Sequence, residues 1–340
     1  MISETLESIN KQDYGNLEII VVDDGSSDPQ WNTLKELASD RVRILERTDG
    51  TKGPSRCRNL GAAESAGDYI LFVDSDDVLA PWCLAQRMNE IAEWPGADFW
   101  VFPVMLFRQQ PGDLAVCWNR LEGDDDVERF LRSDPPWHTS SPVWRRETFM
   151  TTGGFNENVM YGDDAELHAR ALLKGFAYRK FPKCLPDVFV RRGEEQRITN
   201  AQLPSLLASR QARLIEGTLM LRTSDADQHL VDIWEGQYFV EGEELLFNLS
   251  NSDQHIAKVI DAWAEQYTPS ICYRWLVRSY FRLGTVFRDQ AYWALRVARR
   301  LAMVALPGDY FPKGGGFHSQ VLSAGEAARL NEALQGKNEK

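Results

Sequence analysis

Two stretches of this chain share one build, and that build restricts the fold more than any other feature. "LEIIVV" (17–22) runs directly into "DDGSSD" (23–28), and "YILFV" (69–73) runs directly into "DSDD" (74–77). Short apolar runs without polar alternation are what strands covered on both faces need. Like charges massed where such a strand ends cost free energy unless something positive sits among them. The segments between read as helices. "SETLESINKQ" (3–12) is one, and Asp28 followed by Pro29 caps another that runs to about Ala38. "GPSRCRNLGAAESAG" (53–67) has Pro near its start and Gly67 at its end, and a further helix spans about 81–94. "VRIL" (42–45) is a short strand and "DFWVFPVML" (98–106) a longer one. Strands alternating with helices predict an α/β fold with a mostly parallel sheet and ligands beyond the carboxyl ends of its strands. Both acidic clusters stand at such ends.

After about residue 200 the strand signals fade and helical segments dominate (203–222, 226–247, 253–266, 270–305). The expectation is two domains, residues 1–200 and a mainly α-helical region 201–340, which suits a chain of 340 residues. Its longest apolar runs are too short to span a bilayer, and no basic-then-apolar leader opens it. The five cysteines (57, 83, 117, 184, 272) are odd in number and form no CxxC pair. That predicts free thiols, a reducing cytoplasmic setting and no zinc site. A formal net charge of -12 argues against a nucleic-acid partner. The stretch 271–313 runs the other way, with seven Arg and one Lys against two acids among many aromatics. It reads either as a peripheral contact with an anionic membrane surface, here the inner membrane face, or as packing on the acidic domain.

Three acidic motifs carry chemistry. In "DSDD", Asp74 and Asp76 are spaced to reach one hard cation such as Mg²⁺ or Mn²⁺ from one side. The plain alternative is a solvated turn that caps the next helix, and Asp77 fits that role. Asp23 and Asp24 leave their strand in the same manner, with Gly25 allowing a sharp turn. They suit a nucleobase imide or a ribose hydroxyl, or else an Asx-turn. In "YGDDAELHARALLKG" (161–175), Asp163 and Asp164 open a helix. Acids there complement the helix dipole, and one of them can also serve as a general base.

Taken together, these motifs resemble the family 2 glycosyltransferases of the GT-A fold. The matching residues are "LEIIVVDDGSSD", "GPSRCRNLGAAESAGDYILFVDSDDVLAP" and "RRETFMTTGGFNENVMYGDDAELHARALLKG", in the family's order, over roughly residues 3–200. The resemblance implies a nucleotide-sugar-binding catalytic domain over 1–200, a divalent metal (Mn²⁺ or Mg²⁺) and inversion at the anomeric carbon. It makes Asp24, with Asp23 beside it, the base-recognition acid and places Arg58 on the donor's nucleotide side. Asp76 becomes the direct metal ligand, Asp74 its partner nearer the ribose, and Asp164 the catalytic base. Asp163 stands where the family usually has Glu. The implied reaction moves a sugar from a nucleoside-diphosphate donor, UDP-linked, to a glycan or lipid-linked hydroxyl in surface polysaccharide assembly.

Some features depart from the pattern. The family's opening strand, of the type V-S-V-I-I-P-x-Y-N, has no counterpart before the first helix, so the expectation is a shortened or misassigned start. No His follows the base helix before His229. Arg191 and Arg192 are the candidates to meet a diphosphate instead. His138 and Trp137 in "PPWHTSSPVW" are candidates for the acceptor side, although a lone His or Trp is usually structural. Two other readings compete. One is a sugar-nucleotide-binding or scaffold protein inactivated by loss of the first strand. The other is a nucleotidyltransferase, for which no Gly-rich basic N-terminal loop is seen.

Overall fold

The computed structural model describes residues 1–48, 50–192, 203–237, 275, 279 and 320–336. Residues 1–126, 135–209 and 317–340 form one compact unit, and residues 127–134 with 210–316 form a second. The basic stretch 271–313 lies outside the described residues, except Trp275 and Ser279.

The first unit opens with α1 (Ile2–Asn10), β1 (Ile19–Asp23), α2 (Asp28–Lys35), β2 (Val42–Glu46) and α3 (Pro54–Glu64). Helix α2 starts one residue earlier than the Asp-Pro signal suggests. Ser27 is its N-cap, in a capping box with Gln30. Strands β1 and β2 pair in parallel, with Asp23 opposite Glu46. Next come β3 (Tyr69–Leu71), β4 (Val78–Leu79), α4 (Cys83–Glu93), β5 (Phe99–Val101) and β6 (Val104–Phe107). The single strand expected over 98–106 is thus two. Pro103 lies between them and has no N–H for a ladder.

The chain continues through β7 (Val116–Cys117), α5 (Asp126–Leu131), β8 (Pro142–Arg145), α6 (Arg146–Thr152) and α7 (Asp163–Leu173). It ends its described course with β9 (Tyr178–Lys180), β10 (Val188–Arg191), α8 (Leu203–Thr223), β11 (Gln320–Val321) and α9 (Ala324–Gln335). The α/β character matches the expectation, but the sheets are mixed rather than mostly parallel. One has the order β3-β8-β5-β9 and another β11-β7-β6-β10-β4. Parallel pairs are β1–β2, β5–β9 and β6–β10. Strand β8 enters between β3 and β5 antiparallel to both, which an apolar run cannot announce.

The core is aromatic. Phe99 stacks on Trp144 at 4.3 Å and on Tyr178 at 5.3 Å. Helix α9 brings Leu330 onto Val78, Met105, Phe107 and Phe189, so a piece of the far C-terminus belongs to the first unit's core. In the second unit, Trp234 packs so closely on α8 that a Cβ at Gly217 would lie 2.0 Å from its ring. No helix among the described residues is long and apolar enough to cross a membrane.

Candidate functional site

The first acidic cluster is held by its own surroundings. The Asp23 carboxylate accepts from the Gly25 and Ser26 N–H groups, both at 3.0 Å, and from the Ser26 hydroxyl. Burial opposes its ionisation, yet these donors outweigh burial and keep its pKa below the usual carboxylate range. This is the Asx-turn of the sequence reading. Asp24 accepts from Gly53 N–H at 2.7 Å and from the Nε and Nη2 of Arg47, a side chain only 6% exposed. Arg47 escaped the sequence reading. The β1–β2 register could have found it, because Asp23 opposite Glu46 sets Asp24 beside Arg47.

The second cluster is far less settled. Arg58, on α3, donates from Nη2 to Asp74 at 2.7 Å and from Nη1 to Asp163 at 2.9 Å. Burial pushes Asp74 up, and the Arg58 guanidinium, helped by His138, more than reverses it. Asp76 and Asp77 are both pushed up, first by burial and then by the neighbouring Asp74. Asp77, 1% exposed, accepts only long hydrogen bonds here, from the Arg191 N–H at 3.2 Å and the Ser140 hydroxyl at 3.3 Å. Asp74, Asp77 and His138 can each bring one ligand atom within 4.8 Å of the others. That group includes Asp77, which sequence read as a cap, and not the Asp76 carboxylate.

Helix α7 starts from Gly162, whose φ of 73° is left-handed and suits glycine. Asp163, 7% exposed, also takes the Ser55 hydroxyl at 2.8 Å. Burial raises its pKa to about 6, against the opposing pull of Arg58. Asp164 is half-buried. It accepts from the Thr139 hydroxyl at 3.0 Å and from the Ala165 N–H at 2.8 Å. Thr139 and Ser140 gave no signal in the sequence, because lone hydroxyls carry no pattern. Arg58 therefore links the acidic turn after β3 to the N-terminus of the helix that bears Asp164.

The remaining candidates divide. Arg191 lies against the acidic turn, its Nε donating to the Asp76 carbonyl at 3.1 Å and its Nη2 to Glu4 at 2.5 Å. The Arg192 side chain is exposed. Trp137 is 1% exposed among Phe99, Tyr178 and His168, so it is a packing residue with no face for a sugar. His168 is likewise interior, its pKa lowered by burial to about 4. His138 is 8% exposed, with its ring 4.5 Å from Trp118.

Comparisons with known proteins agree on one family. Residues 1–154 match the family model described as Glycosyl transferase family 2. An uncharacterised glycosyltransferase of Haemophilus influenzae is 35% identical over 26% of this chain and 36% of its own length. The GalNAc(5)-diNAcBac-PP-undecaprenol beta-1,3-glucosyltransferase of Campylobacter jejuni is 32% identical over 49% of this chain and 54% of its own. An Escherichia coli UDP-Glc:alpha-D-GlcNAc-diphosphoundecaprenol beta-1,3-glucosyltransferase, WfaP, is 36% identical over 26% and 34%. The chain thus spans about a third to a half of the length of these relatives. Among solved structures, S. aureus TarS 1-349 in complex with UDP superposes with a TM-score of 0.51 at 15% identity, over 98% of this chain and 88% of that one. At such identity the likeness is one of fold. Residues 1–154 thus match the family 2 glycosyltransferase model, and the fold is similar to that of TarS, in keeping with a GT-A scaffold.

Proposed function

We propose that this chain transfers a sugar from a nucleoside-diphosphate donor, UDP-linked, to a hydroxyl of a glycan or lipid-linked acceptor, by a single displacement with inversion. The observation that carries this reading is the Arg58 bridge. It sets the acidic turn of Asp74 and the helix N-terminus of Asp163 and Asp164 on either side of one guanidinium. Asp164 is the general base, taking the proton of the acceptor hydroxyl, and Thr139 fixes its carboxylate for that task. A base on the face opposite the leaving group gives inversion.

The crowded acids fit a divalent cation, Mn²⁺ or Mg²⁺. Asp76 and Asp77 are both pushed toward protonation, first by burial and then by the neighbouring Asp74, and carboxylate oxygens are what such ions take. Asp74, Asp76 and Asp77 would hold it, and when bound it would neutralise charge on the departing diphosphate. Asp24 and Asp23, backed by Arg47, form the donor's nucleobase side, and Arg191 stands where it can pair with phosphate oxygens. The UDP donor and the lipid-linked acceptor draw support from the names of the Escherichia coli and Campylobacter jejuni relatives. Work on such an acceptor would bring the protein to the inner membrane face.

Calorimetric titration of UDP, GDP and CDP, with and without Mn²⁺, tests the reading. Metal-dependent binding of UDP alone is expected, and no binding of any nucleotide overturns it. Asp164→Asn should then keep UDP binding and lose transfer by about a thousandfold or more. Near-normal turnover in that variant would remove Asp164 as the base.

A further inference from the structure

Helix α4 holds a buried arginine whose partners lie far from it in sequence. The side chains of Arg87 and of Asp187, just before β10, are 1% and 0% exposed. Arg87 donates from Nε to Asp187 Oδ2 at 3.0 Å and from Nη2 to Oδ1 at 2.6 Å. Its Nη1, on the other edge of the fork, donates to the carbonyls of Ser140 at 2.9 Å and Ser141 at 3.2 Å. Those two residues close a tight turn, 138–141, ahead of β8. Inside it the Ser141 N–H donates to the His138 carbonyl at 3.0 Å, and the His138 N–H donates to the Ser141 hydroxyl at 3.1 Å.

A buried ion pair adds little net stability, because desolvation of both charges offsets their attraction. Were its task only to tie α4 to the segment before β10, an ammonium would do. A lysine brings one point charge, whereas a guanidinium meets a carboxylate with one edge and keeps donors on the other. Here that second edge is spent on the turn. The anchor behind it is firm: the Asp187 carbonyl accepts from the Ala80 N–H at 2.8 Å, directly after β4, and Gln86 Nε2 donates to Asp187 Oδ2 at 3.1 Å and to the Leu185 carbonyl at 2.9 Å. Holding the turn's carbonyls fixes where its side chains point. Among them is the Thr139 hydroxyl, which donates to Asp164 at 3.0 Å.

Resting on the function proposed above, we propose that Arg87 and Asp187 are positioning residues for the transfer step: they seat the 138–141 turn so that Thr139 holds the Asp164 carboxylate in place for the acceptor hydroxyl. Neither residue touches substrate. Their effect passes through one hydroxyl to the general base, so it falls on the rate of transfer and not on donor binding. An ion pair that merely staples α4 to the rest of the unit would instead change stability and leave the turnover of folded protein alone.

Turnover can be read without an acceptor, as release of UDP from UDP-glucose with Mn²⁺ present. Water then stands in for the acceptor hydroxyl: its oxygen bonds to the anomeric carbon, its proton goes to Asp164, and the bond to the diphosphate breaks. Thr139→Val should slow this release by about tenfold. Arg87→Lys keeps a charge beside Asp187 but cannot also hold both carbonyls. It should slow release by a similar factor, with UDP affinity near wild type. Arg87→Lys combined with Thr139→Val should be no slower than the slower single variant, because both act on one contact. Losses that multiply overturn the proposal, as does a loss carried by UDP affinity instead of turnover, or unchanged turnover in Arg87→Lys. If Arg87→Lys does not fold, Arg87→Met with Asp187→Leu removes both charges together, a change that buried pairs commonly tolerate, and the same outcomes are read. Amide hydrogen exchange follows the turn without any turnover. The His138 and Ser141 N–H groups should exchange at least about tenfold faster in Arg87→Lys, with the core amides of Trp100 and Leu106 unchanged. Equal protection in variant and wild type overturns the proposal. A wild-type chain that neither binds UDP nor releases it defeats the functional reading and the positioning role with it, whereas the exchange still decides whether Arg87 holds the turn.

Discussion

The ends of β1 and β3 look alike as sequence and differ as electrostatics. After β1, two carboxylates meet one buried guanidinium, three backbone N–H groups and a hydroxyl. After β3, Arg58 is shared between Asp74 and Asp163, and Asp76 and Asp77 stand beside them pushed toward protonation. The first end has its charges balanced by the protein itself, which suits an uncharged partner such as a nucleobase. The second is strained until more positive charge arrives, and such imbalance is what binding sites are built from. Matching motifs therefore do not imply matching roles, and the difference lies in who supplies the counter-charge.

Removing each end's arginine should expose that difference most strongly. Arg58→Met leaves Asp74 and Asp163 facing one another without a cation, and should cost about 3 kcal/mol or more near pH 7 in chemical denaturation. The loss should shrink near pH 5, because Asp163 with a pKa of about 6 can take up a proton there. Arg47→Met should cost less, about 2 kcal/mol, since Asp24 keeps the Gly53 N–H and some contact with water. Equal losses at the two ends would dissolve the contrast.

A smaller effect sharpens it. The folded-state pKa of Asp77 lies above its unfolded value near 3.9. The folded chain then binds the extra proton, so this group's contribution to stability declines as pH rises past about 4. Asp77→Asn should match wild type near pH 4 and be the more stable of the two at pH 8, without divalent cation. Saturating Mn²⁺ should reverse that order by stabilising only the wild type. Thermal melts across pH, with and without Mn²⁺, would show this. A variant less stable than wild type at pH 8 would mean that Asp77 is already well paired.

Much of this was legible in the residues, and the rest was hidden for physical reasons. Apolar runs ending in acids marked β1 and β3, because burial on both faces leaves a continuous signature. Pairing direction was not legible, since β8 carries an apolar pattern that fits either sense. Asp23 and Asp24 were visible as a motif, but their satisfaction depends on Arg47, which only the strand register brings near. Asp77 read as a cap because its burial beside His138 comes from segments sixty residues apart. Trp137 was a fair candidate for a sugar platform until its packing partners were placed.

The chain passes from the β3-β8-β5-β9 sheet to the β11-β7-β6-β10-β4 sheet three times, between β3 and β4, β5 and β6, and β9 and β10. The first passage is the acidic turn itself, and the second is the pair Phe102-Pro103. Two sheets stitched so often cannot come apart one at a time. Their slowest-exchanging amides, for example those of Trp100 and Leu106, should share a single opening free energy in native-state hydrogen exchange. Any slackening between the sheets would be felt at once where Asp74, Asp76 and Asp77 cross. The site thus inherits the cooperativity of the fold.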